Sequence, residues 1–376
     1  MSQNNKLLIV LILIPIFTFA GTFGSKGLIH VQTASTLERG TLDFRTNMRF
    51  YTKLGEFLGQ NKPLNFSTVN YWDVQGNILL SYGVMDHFDV TLQNRVYQDI
   101  HQKGEYNSPE DLFLDLKVGS FGINNNTFHV GFMTELRLPT GKTYNYPFEL
   151  YTAGAFEVGL KGLVSYHNDP YLPDRSWSIH GNLGWYTHND SGRELFRTAT
   201  QVFTSASNST DLQFGLGFCY PTELFNLNAE IWGIGYINQP DTMVYSRESF
   251  MYFTPSVRFK PKSWFSFDLG LDIRISGDNQ SWSKLLPNWR QTLNLPMYPS
   301  WNVHLGANFR LMPIVRTSAP GSQSDIRTKV DFFESLMRER EKTKSIEEEL
   351  RRLKREREQA EKELEELRQM LEEQEK

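Results

Sequence analysis

The sequence predicts an all-β fold, an antiparallel transmembrane β-barrel of about twelve strands, followed by a C-terminal α-helical coiled coil. Three observations carry this expectation. The stretch FSFDLGLDIRISGD (265–278) alternates strictly, with Phe265, Phe267, Leu269, Leu271, Ile273 and Ile275 on one face and Ser266, Asp268, Gly270, Asp272, Arg274 and Ser276 on the other. Period two is the signature of an extended strand with one apolar and one polar face. Second, many such segments reach 11 or more residues, against ~5–6 for strands of soluble sheets and ~9–11 for tilted strands that cross a bilayer. Third, short and long connections take turns along the chain, as the turns and loops of membrane barrels do.

The first element is MSQNNKLLIVLILIPIFTFA (1–20): a polar start ending in Lys6, an apolar run from Leu7, then Thr18 and Ala20 as small residues at a cleavage site. At about 14 residues the run is shorter than the ~20 of a spanning helix, so it reads as a cleaved signal peptide and the chain as exported. Residues 21–40, including GLIHVQTASTLERG, read as an extended lead-in. Strands are then expected near 41–52, 69–84, 88–98, 111–121, 127–138, 150–165, 176–188, 211–220, 224–237, 249–259, 264–276 and 300–312. Tight connections are expected at MDH (85–87), GINNN (122–126), PTE (221–223) and KPKS (260–263), with 167–176 a longer connection in a short-turn position. The remaining connections are long and rich in Asn, Gly, Pro, Ser and charge. This parity puts both ends of the barrel on the short-turn side.

Followed through the strands, the polar parity collects Asp43, Arg45, Arg49, Asp73, Asp89, Arg95, Asp115, Lys117, Glu135, Arg137, Glu157, Lys161, Glu230, Arg258, Asp268, Asp272, Arg274 and Arg310, the candidates for lining a lumen. Acidic and basic groups are mixed, which disfavours strong ion selectivity. Paired with one another such charges fill and close a barrel; solvated, they line a narrow aqueous pore. Phe88, Trp177, Trp264 and Trp301 stand near strand ends, and the 14% aromatic content suits interfacial girdles.

After the barrel (41–312), residues 313–328 have linker chemistry, and 329–376 change to Glu, Lys, Arg and Leu. Ile346, Leu350, Leu353, Leu364, Leu367 and Leu371 follow a heptad, interrupted by Arg357 and Ala360, as the seam of a coiled coil. A helix over this range would reach about 70 Å at ~1.5 Å per residue. Self-association through this seam makes the chain a candidate homo-oligomer, with a lone solvated helix as the alternative, and the tail offers a rod to a periplasmic protein partner.

The last strand, HLGANFRL (304–311), resembles the assembly signal of bacterial outer-membrane β-barrel proteins, OmpA-like and porin-like, although Leu311 stands where an aromatic is usual. The resemblance implies an outer-membrane location, a periplasmic tail in place of a peptidoglycan-binding domain, and a narrow passive pore or a non-conducting scaffold barrel. The segment WYTHNDSGRELF faintly resembles the His and Ser segment of the outer-membrane phospholipases, but Ser191 lies three residues after His188 and the polar parity turns His188 away from lipid. No enzyme is therefore expected. No phosphate-cradling loop, paired metal-ligand motif or nucleophile elbow occurs, so neither cofactor nor metal is expected. The single Cys219 excludes an intrachain disulfide, and a net charge of −4 gives no nucleic-acid footprint.

Overall fold

The computed structural model of the 376-residue chain describes residues 26–55, 69–100, 105–106, 111–277 and 297–312, apart from 142–143, 145–147, 174, 198–199, 243, 245 and 263, together with 337 and 349–361. The strands are β1 (Leu42–Gly55), β2 (Val69–Met85), β3 (Phe88–Ile100), the two-residue β4 (Glu105–Tyr106), β5 (Leu112–Ile123), β6 (Phe128–Leu138), β7 (Glu157–His167) and β8 (Ser178–Thr187). A small hairpin of β9 (Glu194–Arg197) and β10 (Val202–Thr204) precedes β11 (Thr210–Pro221), β12 (Phe225–Asn238), β13 (Phe250–Lys262), β14 (Phe265–Arg274) and β15 (Trp301–Met312).

Twelve of them, all but β4, β9 and β10, pair antiparallel in chain order, and β1 pairs with β15 to close the barrel. Closure leaves these twelve strands without a sheet edge, so their backbones need no water on the flank. Leu42 pairs with both Tyr82 and Met312, which places the start and end of the barrel beside the short β2–β3 turn. The β5–β6 turn is made by Asn124, Asn125 and Asn126, all with positive φ (52°, 55° and 64°). Asn tolerates that left-handed region because its short side chain bonds locally.

The alternation resolves in one sense. On β14, Phe267, Leu269, Leu271 and Ile273 are exposed on the outside while Asp268 and Asp272 are buried within. Leu160 and Val164 of β7 and Leu216 and Phe218 of β11 are likewise outside. This is the inverse of a water-soluble barrel. Rings follow one another round the short-turn rim, with Phe44, Phe309, Phe265 and Trp264 in series and Phe128, Tyr166, Trp177 and Phe218 in another.

Three local features depart from the expectation. The sixth barrel strand starts at Glu157 rather than near 150, because Gly154 at φ 66° breaks the run and Tyr151, Ala153 and Ala155 turn inward. The inner face is not polar throughout: Trp232 and Ile234 of β12 and Phe250 and Tyr252 of β13 point into the barrel and pack with Met297 and Tyr298 of the last long loop. Residues 26–40 do not merely approach β1; 26–37 fold inside the barrel, and Glu38 and Arg39 are exposed.

The chain divides into two compact units, residues 1–314 and 315–376. In the second, 349–361 are helical and exposed, with Arg352 bonded to Glu356 and Arg357 to Glu361 one turn on. Leu350 and Leu353 lie on this helix, and no second helix stands against it among the described residues. Ile346, Leu364, Leu367 and Leu371, the leader 1–20 and the linker 313–328 lie outside the described residues.

Candidate functional site

The lumen is organised by what a buried chain segment requires. Residues 26–37 cross the interior without joining the sheet ladder, so each backbone N–H there needs another acceptor. Gly27 and Gln32 form an isolated bridge, and Leu28 N–H donates to Val31 O (2.9 Å), so 27–32 make a tight hairpin with Ile29 and His30 at its tip. The tip is held by one wall residue. Glu230 of β12 accepts from the backbone N–H groups of Ile29 (2.9 Å), His30 (2.7 Å) and Val31 (2.7 Å). Hydrogen bonds to an ionised acceptor are the strong kind.

The descent from the tip is satisfied in the same way. Asn182 of β8 accepts from Gln32 N–H and donates to Gln32 O, both at 2.7 Å, imitating a ladder pair with a side-chain amide. Ser165 Oγ accepts from Ala34 N–H (2.8 Å), Ser120 Oγ from Thr36 N–H (2.8 Å) and Asp89 Oδ2 from Leu37 N–H (2.9 Å). A bulge in β5 takes part. The β5–β6 register shifts between Val118 and Phe121, Ser120 adopts φ 60°, and its N–H turns in to donate to Ala34 O (2.8 Å). Gly119 beside it has no side chain because a Cβ there would stand 2.2 Å from that same carbonyl oxygen. We call residues 26–40 the plug.

The expected lumen charges lie inside the barrel, mostly in pairs. Arg49 bonds Asp73 (2.7 Å) and Glu149 (3.2 Å), and Arg95 bonds the other oxygen of Glu149 (2.9 Å). Arg137 bonds Asp111 (2.6 Å) and lies 3.5 Å from Glu157, while Lys161 meets Glu135 at 2.8 Å and Lys117 is 3.9 Å from Asp89. Arg258 bonds Asp268 (2.6 Å), Arg274 bonds Glu248 (3.4 Å), Arg310 bonds Asp43 (3.0 Å), and Arg45 donates to Asn308. Asp115, also buried, has neither carboxylate oxygen hydrogen-bonded within the described structure. Glu230 and Asp272 are drawn to the plug instead, Asp272 through the ring of His30.

The plug separates two cavities. One of about 960 Å³ opens at the short-turn end and includes Lys26, Leu28, Asp43, Arg45, Arg258 and Arg310 in its wall. The other, about 100 Å³, lies between the hairpin tip at His30 and the loop residues Leu150 and Tyr151. No residue lines both. Above the smaller chamber Tyr151, Ala153, Leu195 and Val244 cluster, and Tyr236 joins them to the Trp232 group. The lid is tied by hydrogen bonds as well. Tyr151 donates to Asp190 Oδ2 (2.6 Å) and Tyr298 to Ser246 O (2.6 Å). Although burial alone raises it, hydrogen bonds from Ser209 and Tyr151 hold the Asp190 carboxyl below its ordinary range.

His188 and Ser191 do not come together as a catalytic pair. The two ring nitrogens of His188 face Asp211 (2.9 Å) and Glu157 (3.4 Å) inside the barrel, whereas Ser191 is exposed. The plug contacts were missed by sequence reasoning: His30, Gln32, Asn182, Ser165 and Ser120 carry no motif. The available signal was the glycine and small polar residues on the inward parity, which leave room for another backbone.

No protein-family model matches the chain, and no curated protein matches it. Among solved structures, an outer membrane channel from Pseudomonas putida is similar at 14% identity, covering 73% of this chain and 97% of that one with a TM-score of 0.47. The NanC porin is similar at 9% identity over 72% of this chain and all of its own (100%), with a TM-score of 0.42. The KdgM porin is similar at 6% identity over 72% and 99% of the two chains, TM-score 0.36.

Proposed function

We propose that the protein is an outer-membrane channel for passive passage of small solutes, closed in this state by its own N-terminal segment. The observation that carries the reading is the division of the lumen into two cavities by a segment bound through hydrogen bonds to wall side chains, Glu230 and Asn182 foremost. Such an attachment is reversible, since water can replace each bond. A closed barrel with Leu160, Leu183, Leu216 and Leu269 outward has a surface suited to lipid, and charge within. With the leader removed, the plug lies close to a free chain end and can withdraw toward the short-turn side, the periplasm in this reading. Mixed and paired charges on the wall favour weak selectivity.

The test is single-channel conductance of the mature chain against a chain lacking residues 26–40, with barrel folding established by the shift in gel mobility on heating. Brief, rare openings of the mature chain and steady conductance of the shortened one are expected. Silence of both folded barrels gives the function to a second reading, a non-conducting scaffold, which the pairing of wall charges such as Arg137 with Asp111 and Glu157 favours. In that reading the tail 329–376 is a periplasmic coiled coil that assembles copies of the chain. Removing it then abolishes cross-linked oligomers without preventing barrel insertion.

A further inference from the structure

His30, Asp272 and His304 reach one point from three parts of the chain: the plug tip, β14 and β15. The Asp272 carboxylate stands between the two imidazoles, with Oδ1 2.9 Å from His30 Nε2 and Oδ2 2.7 Å from His304 Nε2. The ligand atoms of all three lie within 4.8 Å of one another, and all three residues are buried. Two imidazole nitrogens and a carboxylate oxygen are a ligand set for zinc with one position left open. Ligands sharing a tetrahedral ion at bonds of ~2.0–2.1 Å sit about 3.3 Å apart, so small side-chain movements bring this trio to that spacing.

The surroundings hold Asp272 and His30, two of the three ligands, as the outer shell of a metal site does. Thr254 Oγ1 donates to Asp272 Oδ1 (2.7 Å), Asn302 Nδ2 approaches Oδ2 (3.4 Å), and the Trp232 ring stacks on His30 at 3.8 Å. Both histidines line the chamber of about 100 Å³, which has room for a water on the open position.

We propose that His30, Asp272 and His304 bind one divalent cation of the zinc class, which ties the plug to the barrel wall. Each imidazole ligates through Nε2 in the tautomer that carries its proton on Nδ1, and the carboxylate offsets part of the ion's charge. Because one ligand belongs to the plug and two to the wall, the ion binds the seated plug more tightly than the withdrawn one and so favours seating. The consequence for passage rests on the channel reading; the binding itself does not.

The experiment uses the full chain folded in detergent and dialysed against Zn²⁺, with metal content measured per barrel. About one equivalent is expected, with affinity lowered by more than about 100-fold in His30→Ala and in His304→Ala, beyond what losing an outer-shell partner costs. His87→Ala, at the β2–β3 turn, is expected to retain it, and the heat-dependent gel shift shows that each variant is folded. Absence of stoichiometric zinc, or zinc undiminished in both variants, overturns the site. Protease cleavage within residues 26–40 should slow about tenfold with zinc in the parent chain and not in His304→Ala; equal cleavage with and without zinc overturns the tie. If the chain lacking the plug fails to conduct, the channel reading falls while the zinc and cleavage measurements still decide this one.

Discussion

Glu230 shows how much a single wall residue can organise. Its carboxylate receives the N–H groups of Ile29, His30 and Val31, so Glu230→Ala leaves buried donors without an acceptor. Each such group costs about 1–3 kcal/mol, and the expected outcome is faster hydrogen exchange at residues 29–31 by tenfold or more, with Glu230→Gln intermediate. Unchanged exchange would mean the hairpin is held elsewhere. Asp190 sets a pH limit at the opposite end. Its carboxyl is held below the ordinary value of ~3.9, so the stabilisation it gives the loop 188–209 is present above that value and is lost as pH falls through the lower folded value. Pepsin should therefore spare this loop near pH 4 and cut it in stronger acid, whereas in Asp190→Asn cleavage should lose that pH step. The wall charges themselves were legible by parity, but the partners Glu149 and Glu248 sit in loops, where no period marks direction, while Asp111 stands at the first position of the expected strand and just before β5.

At the scale of elements, the plug and the β5 bulge form one device. Ser120 turns its N–H inward only because an extra residue is inserted there, and Gly119 leaves the space the plug backbone occupies. Gly119→Val places a side chain against Ala34 O, so the barrel should still assemble while the plug is displaced. The measurement is the open probability in a bilayer, expected to rise toward that of the chain lacking 26–40; a variant as closed as the parent would mean the plug seats without this contact. The strands were legible nearly to the residue because alternation is written locally. The strand expected from 150 begins at 157 because Gly154 interrupts a stretch whose alternation of Tyr151, Ala153 and Ala155 serves the lid instead of the wall. Residues 349–361 are helical as their composition implies, and among the described residues no second helix stands against Leu350 and Leu353.

For the whole molecule, the position of the tryptophans tests the inside-out arrangement. Trp264 (55% exposed) and Trp185 (40%) face outward, while Trp232 (7%) is stacked inside on His30 and Tyr252. The chain has eight tryptophans, so the measurement uses variants that each keep one: brominated lipid should quench the emission of the chains that keep only Trp264 or only Trp185 and spare the chain that keeps only Trp232; quenching of that last chain would place Trp232 in contact with lipid. What the sequence by itself determined is the barrel: period two, strand length and the parity of short and long connections are local properties, and closing the resulting sheet satisfies its backbone. Only the tertiary structure decided what occupies the lumen. A polar inner face is equally suited to water or to a peptide, and the plug's partners lie far along the chain, 201 residues for Ile29 with Glu230 and 242 for His30 with Asp272. Hydrogen bonds at such separations follow from where closure brings the strands, and no pattern in neighbouring residues records them.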